Sequence, residues 1–222
     1  MDQASAGNHE RFYKVLAGLV LAGVIVNAIT AWRSSGGFFS PGYNRSLNTL
    51  AFFTIQSNLL VGISALWLWL RTGVRSTLFS VVWLSGLVGI SITGIVYHWL
   101  LAPLHDPRGL ALIGDLIVHS AVPILAVVGF FVFGPRGLIT PRIASLTLVY
   151  LAVWGAFTLI RGEIVNWYPY PFVDVNDKGY SRVIANGVGL AIMYLAVGFG
   201  YMALDRMMTS EPSLALESEQ AD

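Results

Sequence analysis

Six stretches of mostly apolar residues run along the chain, at 12–32, 48–70, 77–101, 110–133, 141–161 and 181–204. Each is long enough for a helix to cross the hydrocarbon core of a bilayer, which takes about 20 residues. The runs are continuous, whereas barrel strands are about 10 residues long with strict alternation. The sequence therefore predicts an all-α fold, a polytopic membrane bundle of six transmembrane helices. Composition agrees: 55% of the 222 residues are hydrophobic and only 11% are charged, against about 25% charged in a soluble domain. Cysteine is absent, which excludes disulfides, thiolate metal sites and a cysteine nucleophile. The net charge of +1 offers no basic field for nucleic acid.

The spans read as one transmembrane domain over 1–208, followed by a tail over 209–222. The tail holds Glu211, Glu217, Glu219 and Asp222 without a cation and reads as disordered. The first run is too long for a signal-peptide core and lacks a clear cleavage site, so it counts as a span. Six spans place both termini on one side. Arg11, Lys14, Arg71, Arg75, Arg136, Arg142 and Arg206 fall on that side, and Arg33, Arg45, Arg108, Arg161, Lys178 and Arg182 on the other. The totals are nearly balanced. The short connections holding Arg71 and Arg75, and Arg136 and Arg142, contain no acid, and short loops weigh most in setting orientation. The expected arrangement is a multi-pass cell-membrane protein with cytoplasmic termini and with loops 33–47 and 162–180 outside. Ser85-x-x-x-Gly89 and Ala185-x-x-x-Gly189 have the spacing of close helix contacts.

Polar side chains within a span are costly and mark functional sites by default. Thr54 and Asn58 lie early in span two, His98 late in span three, and Asp115 and His119 early in span four. Arg161 and Glu163 close span five, and Asn186 opens span six. All of them fall in the outer half of the bilayer, and the inner half reads as almost purely apolar. Thr54, Ser57 and Asn58 share one helical stripe, and Asp115 and His119 are four apart, so carboxylate and imidazole can touch. At about 1.5 Å of rise per residue, Thr54 lies ~9 Å and His119 ~14 Å below their expected helix starts. Pro123 has no N–H to bond the His119 carbonyl, which predicts a freed carbonyl and a bend beside the imidazole. After span five, Trp167-Tyr-Pro-Tyr-Pro-Phe172 reads either as an interfacial segment over the bundle or as an aromatic belt anchor.

A threonine hydroxyl beside a histidine is a nucleophile with its general base, and Asp115 supplies a third member to orient the ring. Asn58, His98, Asn186 and Tyr170 are candidates to contact a substrate. A site half sunk in lipid suits an amphiphilic ester, with its acyl chain in the apolar part. The chemistry requires no metal and no cofactor, and nothing in the sequence specifies an oligomeric state.

Phe52-Phe53-Thr54, His119-Ser-Ala-Val-Pro123 and Tyr170-Pro171-Phe172 resemble three patches of one family. It comprises the androgen-induced integral membrane hydrolases and their bacterial six-span relatives. The resemblance covers the span layout and about a dozen matched positions. It implies an all-helical multi-span fold and threonine-dependent hydrolysis of fatty acid esters of hydroxy fatty acids, with Thr54 as nucleophile and His119 as its partner. Asp115 and His98 lie outside the matched patches.

Other readings use the same residues. Asp115, His119 and His98 suit a proton-linked transporter, although no span is clearly broken midway and no polar path continues inward. His98 and His119 suit axial ligands of a b-type haem. A non-catalytic scaffold or regulator would use the polar cluster only to tie helices together, at ~0.6 kcal/mol per bond.

Overall fold

The computed structural model describes residues 3–34, 45–71, 73–104 and 106–219, so most of the expected outward loop 33–47 lies outside the described residues. Helices follow in the order α1 (Gln3–Arg33), α2 (Arg45–Asn48), α3 (Phe53–Leu70), α4 (Thr77–Val96), α5 (Leu110–Leu116), α6 (Val122–Val132), α7 (Pro141–Val165) and α8 (Val175–Glu219). No strand occurs among the described residues. Among the described residues, six helical stretches are long and apolar enough to cross a membrane: Gly7–Arg33, Phe53–Leu70, Thr77–Leu101, Leu110–Val132, Pro141–Val165 and Val175–Thr209. Val15, Leu21, Ile160, Ile164, Ile184 and Ile192 are each more than half exposed. In water such a surface would drive association, whereas in a bilayer it meets lipid.

Helix α4 forms the middle of the bundle, packing on α3, α6, α7 and α8. Phe79, Leu84, Val88 and Ile90 are fully buried there. Small residues set the spacing, because a Cβ at Gly86 would come within 3.1 Å of the Val61 nitrogen, and one at Gly89 within 3.1 Å of Ser57 Cβ. The Ser85–Gly89 pattern is thus a packing contact with α3. Its counterpart in α8 is not: Ala185 and Gly189 are exposed, and a Cβ at Gly189 would meet nothing within 4 Å.

Two sequence expectations change. The second span starts at Phe53 rather than 48, because a 3₁₀ turn over Thr49–Ala51 ends in extended backbone at Phe52 (φ −71°, ψ 131°). The Phe52 ring is held between Trp167 and Tyr170, with centroids at 5.7 and 5.6 Å. The half of the bundle nearer the termini is not purely apolar either. Asp205, 1% exposed, accepts from the backbone N–H groups of Gly137 and Ile139 at 2.9 and 3.0 Å. Those two bonds satisfy its buried carboxylate while pinning the loop between α6 and α7. Helix α8 runs on through the acidic stretch to Glu219.

The 166–174 segment returns over the C-terminal end of α7. Asn166 ends the helix in a left-handed conformation (φ 51°), and the Trp167 N–H bonds the Gly162 carbonyl at 3.3 Å. Tyr168 packs so tightly that a Cβ at Gly162 would lie 2.0 Å from its ring. Gly162→Ala is therefore expected to lower stability by about 1–3 kcal/mol, the usual cost of overpacking. A thermal unfolding scan in detergent measures it.

Candidate functional site

Thr54 is the second residue of α3, in the turn where backbone N–H groups lack helical acceptors. The Thr54 N–H finds the Tyr170 hydroxyl instead, at 3.3 Å. The same hydroxyl lies 3.4 Å from Thr54 Oγ1. On its other side, Thr54 Oγ1 lies 3.3 Å from His119 Nε2. The ring's Nδ1 lies 3.0 Å from Asp115 Oδ1, and the second carboxylate oxygen accepts from the Tyr97 hydroxyl at 2.6 Å. A carboxylate accepts but does not donate, so Nδ1 carries the proton and Nε2 turns its lone pair toward Thr54. Tyr97 also stacks on the imidazole, with centroids 3.7 Å apart and planes at 8°. The result is a continuous hydrogen-bonded chain, Thr54–His119–Asp115–Tyr97, that fixes both the tautomer and the plane of the ring.

The helix geometry around this chain departs from regular α. Both Tyr97–Leu101 and Ile117–Ala121 are π-helical. The second precedes Pro123, whose missing N–H removes one rung of the α ladder at His119. The widened turn thus falls at the carbonyl that the proline leaves without its α-helical partner. A Cβ at Gly94 would meet Pro123 Cβ at 3.2 Å and the His119 carbonyl at 3.7 Å, so α4 packs directly on the widened turn. Such π segments recur at functional sites.

His119 is the tenth residue of its span, ~14 Å below the helix start, yet it reaches the second residue of α3. The start of α3 must therefore lie well below the level at which span four begins. With 18 residues the helix is only ~27 Å long, and the turn before it dips into the bundle. A cavity of about 500 Å³ opens in the space above, lined by Thr54, Tyr97, Asp115, His119, Tyr170 and Phe52 among others. The Tyr170 side chain is 7% exposed, and burial raises its pKa, so the hydroxyl keeps its proton.

Thr54, Asp115, His119 and Tyr170 thus line one cavity, and the other candidates do not line it. Asn58 is fully buried behind Thr54, and its Nδ2 donates to the carbonyls of Thr54 and Val118 at 2.8 and 3.1 Å. It clamps α3 to the π segment of span four. His98 is exposed, with Nε2 3.1 Å from Ser120 Oγ. Asn186 donates through Nδ2 to the Phe172 carbonyl at 2.8 Å, bracing the 166–174 segment. That segment is more than a belt anchor, since its Tyr170 reaches Thr54.

Sequence reading missed Tyr97 and Asn27. Asn27 lines the cavity and bonds the Gly23 and Gly114 carbonyls at 2.9 and 3.1 Å, joining α1 to α5. A polar amide inside a span was a visible signal. Tyr97 gave none, because tyrosine is ordinary near a membrane interface. The chain matches no protein-family model, no curated protein and no solved structure.

Proposed function

We propose that the protein is an intramembrane hydrolase of lipid acyl esters, with Thr54 as nucleophile, His119 as general base and acid, and Asp115 orienting the imidazole. The reading rests above all on the unbroken Thr54–His119–Asp115 chain at the wall of a cavity set within the membrane. The resemblance to the androgen-induced hydrolase family supports the same assignment.

Thr54 Oγ1 attacks the ester carbonyl carbon while its proton passes to His119 Nε2. The tetrahedral intermediate collapses, the C–O bond to the alcohol breaks, and the imidazolium returns that proton to the departing alkoxide. Water, deprotonated by His119, then cleaves the Thr54 ester. The fatty acid leaves and the threonine hydroxyl is restored. The Tyr170 O–H stands beside the nucleophile as a neutral donor for the developing oxyanion, and the positive end of the α3 dipole faces the same place. Tyr170→Phe is expected to reduce kcat by roughly 10²–10³-fold with little change in KM, as for loss of one oxyanion donor. Steady-state hydrolysis of a fatty acyl ester in mixed micelles measures it.

The direct test is a fluorophosphonate probe, followed by peptide mass analysis. A covalent adduct on Thr54 supports the reading, and failure to modify Thr54 in folded protein removes it. On this reading the substrate is a membrane lipid or another amphiphilic ester.

The orientation expected from the loop cations puts the cavity mouth outside, with both termini in the cytoplasm of a cell-membrane protein. Because cysteine is absent, single cysteines report topology without background. In intact cells a membrane-impermeant maleimide is expected to label Arg108→Cys and to spare Arg75→Cys. The reverse pattern would invert the assignment.

A further inference from the structure

A second cavity, about 310 Å³, lies in the seam between α7 and α8. Its lining is mostly apolar and includes small residues, Ala152 and Gly155 on α7 and Gly187 and Ala191 on α8. A Cβ at Gly155 or Gly187 would meet no atom within 4 Å. Ile184, which also lines it, is 58% exposed, so the cavity is continuous with the lipid-facing surface of the bundle. Phe172 and Val173 line it as well, and they belong to the segment over the C-terminal end of α7. One polar group stands out: Thr158 is 2% exposed, and its hydroxyl has no hydrogen-bond partner. An orphaned hydroxyl in a hydrocarbon setting is costly, and a ligand carrying an acceptor or donor would remove that cost.

We infer that this seam is a binding site for one acyl chain of a membrane lipid, with the lipid's ester or hydroxyl group meeting Thr158 Oγ1. The hollow is a groove on the lipid side of the seam, where Ala152, Ile184 and Gly187 are exposed, and an acyl chain is thinner than the ~10 Å of a helix. Its opening faces lipid, the phase that holds acyl chains at high concentration. Thr158 lies ~10 Å below the end of α7, and the interfacial layer is roughly 5–8 Å deep on each side. That depth places the hydroxyl just beneath the headgroups, where acyl esters begin.

The site also connects to the cavity holding Thr54. The Phe172 ring stacks on Tyr170, with centroids 5.1 Å apart and planes at 11°. Asn186 lines the seam and donates to the Phe172 carbonyl. A chain in the seam therefore supports Phe172 from behind and holds Tyr170 over Thr54. Only this linkage rests on the hydrolase reading; the binding site does not.

The test uses full-length protein in phosphatidylcholine vesicles doped with a phosphatidylcholine whose acyl chain bears a diazirine. Photolysis of the Thr54→Ala protein, where no turnover intervenes, is expected to label peptides containing 148–159 and 184–191 saturably. Gly155→Leu and Gly187→Leu, at positions where a Cβ meets no atom within 4 Å, put bulk into the hollow and are expected to abolish that labelling, while labelling of the lipid-facing part of α1 persists. Labelling that stays diffuse, or that survives both substitutions in folded protein, overturns the site. In a Thr54-containing background, the same two fillers are expected to slow fluorophosphonate modification of Thr54. Seam labelling in a protein whose Thr54 never reacts would retain the site and discard the hydrolase.

Discussion

Thr54→Ala is expected to lower ester hydrolysis by roughly 10⁴-fold or more, leaving only what the cavity contributes by binding. The substitution removes an oxygen within reach of both His119 Nε2 and the Tyr170 hydroxyl. It leaves the fold intact for a specific reason. The backbone of Thr54, not its side chain, carries the structural bonds: its N–H to Tyr170 and its carbonyl to Asn58. Alanine at the first turn of α3 keeps both. A variant that is monodisperse, melts within a few degrees of wild type and is inactive separates chemistry from folding. Retained turnover in Thr54→Ala would sink the mechanism, whatever else binds in the cavity. Thr54→Ser, which keeps the hydroxyl, is expected to retain measurable activity.

The second large effect is expected from Asp115→Asn, with a fall of roughly 10²–10⁴-fold in kcat. Asp115 accepts from two donors at once, the His119 ring and the Tyr97 hydroxyl. An amide offers one acceptor and one donor. Whichever way it turns, its NH₂ faces a group that was donating. Facing His119, it forces the proton onto Nε2, where a hydrogen then points at Thr54 instead of a lone pair. The expected signature is a kcat defect with KM nearly unchanged, because Asp115 acts on the imidazole. The same variant addresses the transporter reading: proton flux in wild-type liposomes that disappears in Asp115→Asn would favour that alternative.

Architecture was largely legible in the sequence. Five of the six structural spans begin or end within a few residues of the expected positions, because continuous apolar length is a strong signal with few competing explanations. The start of α3 was not legible. Residues 48–52 carry no strong helix-stop signal, and the contacts that hold them out of the helix come from residues about a hundred positions away, with Trp154 bonding the Ala51 carbonyl and Trp167 and Tyr170 packing on Phe52. At the candidate site, helical spacing suggested the Asp115–His119 pair, and shared depth suggested that Thr54 lay near it. Tyr170 entered through a short motif. The partnership of Tyr97 with Asp115 depends on a π turn in each of two helices, and no periodicity rule announces a π turn. His98 drew attention because histidine is rare in a span, yet its neighbour Tyr97 is the residue that faces the cavity.

Those π segments have a consequence for inheritance. Each widened turn is equivalent to one residue inserted into an α-helix. Residues on either side are displaced by about 100° around the axis relative to an uninterrupted helix. In span four, the part carrying Asp115 and the part carrying Pro123 and Phe130 are therefore phased separately. Loss of a single residue between 117 and 121 would restore a regular helix and turn one part against the other. Either His119 would leave Thr54, or the buried inner face would swing toward lipid. The chain can tolerate many apolar exchanges along this span, but its length there is held to the residue.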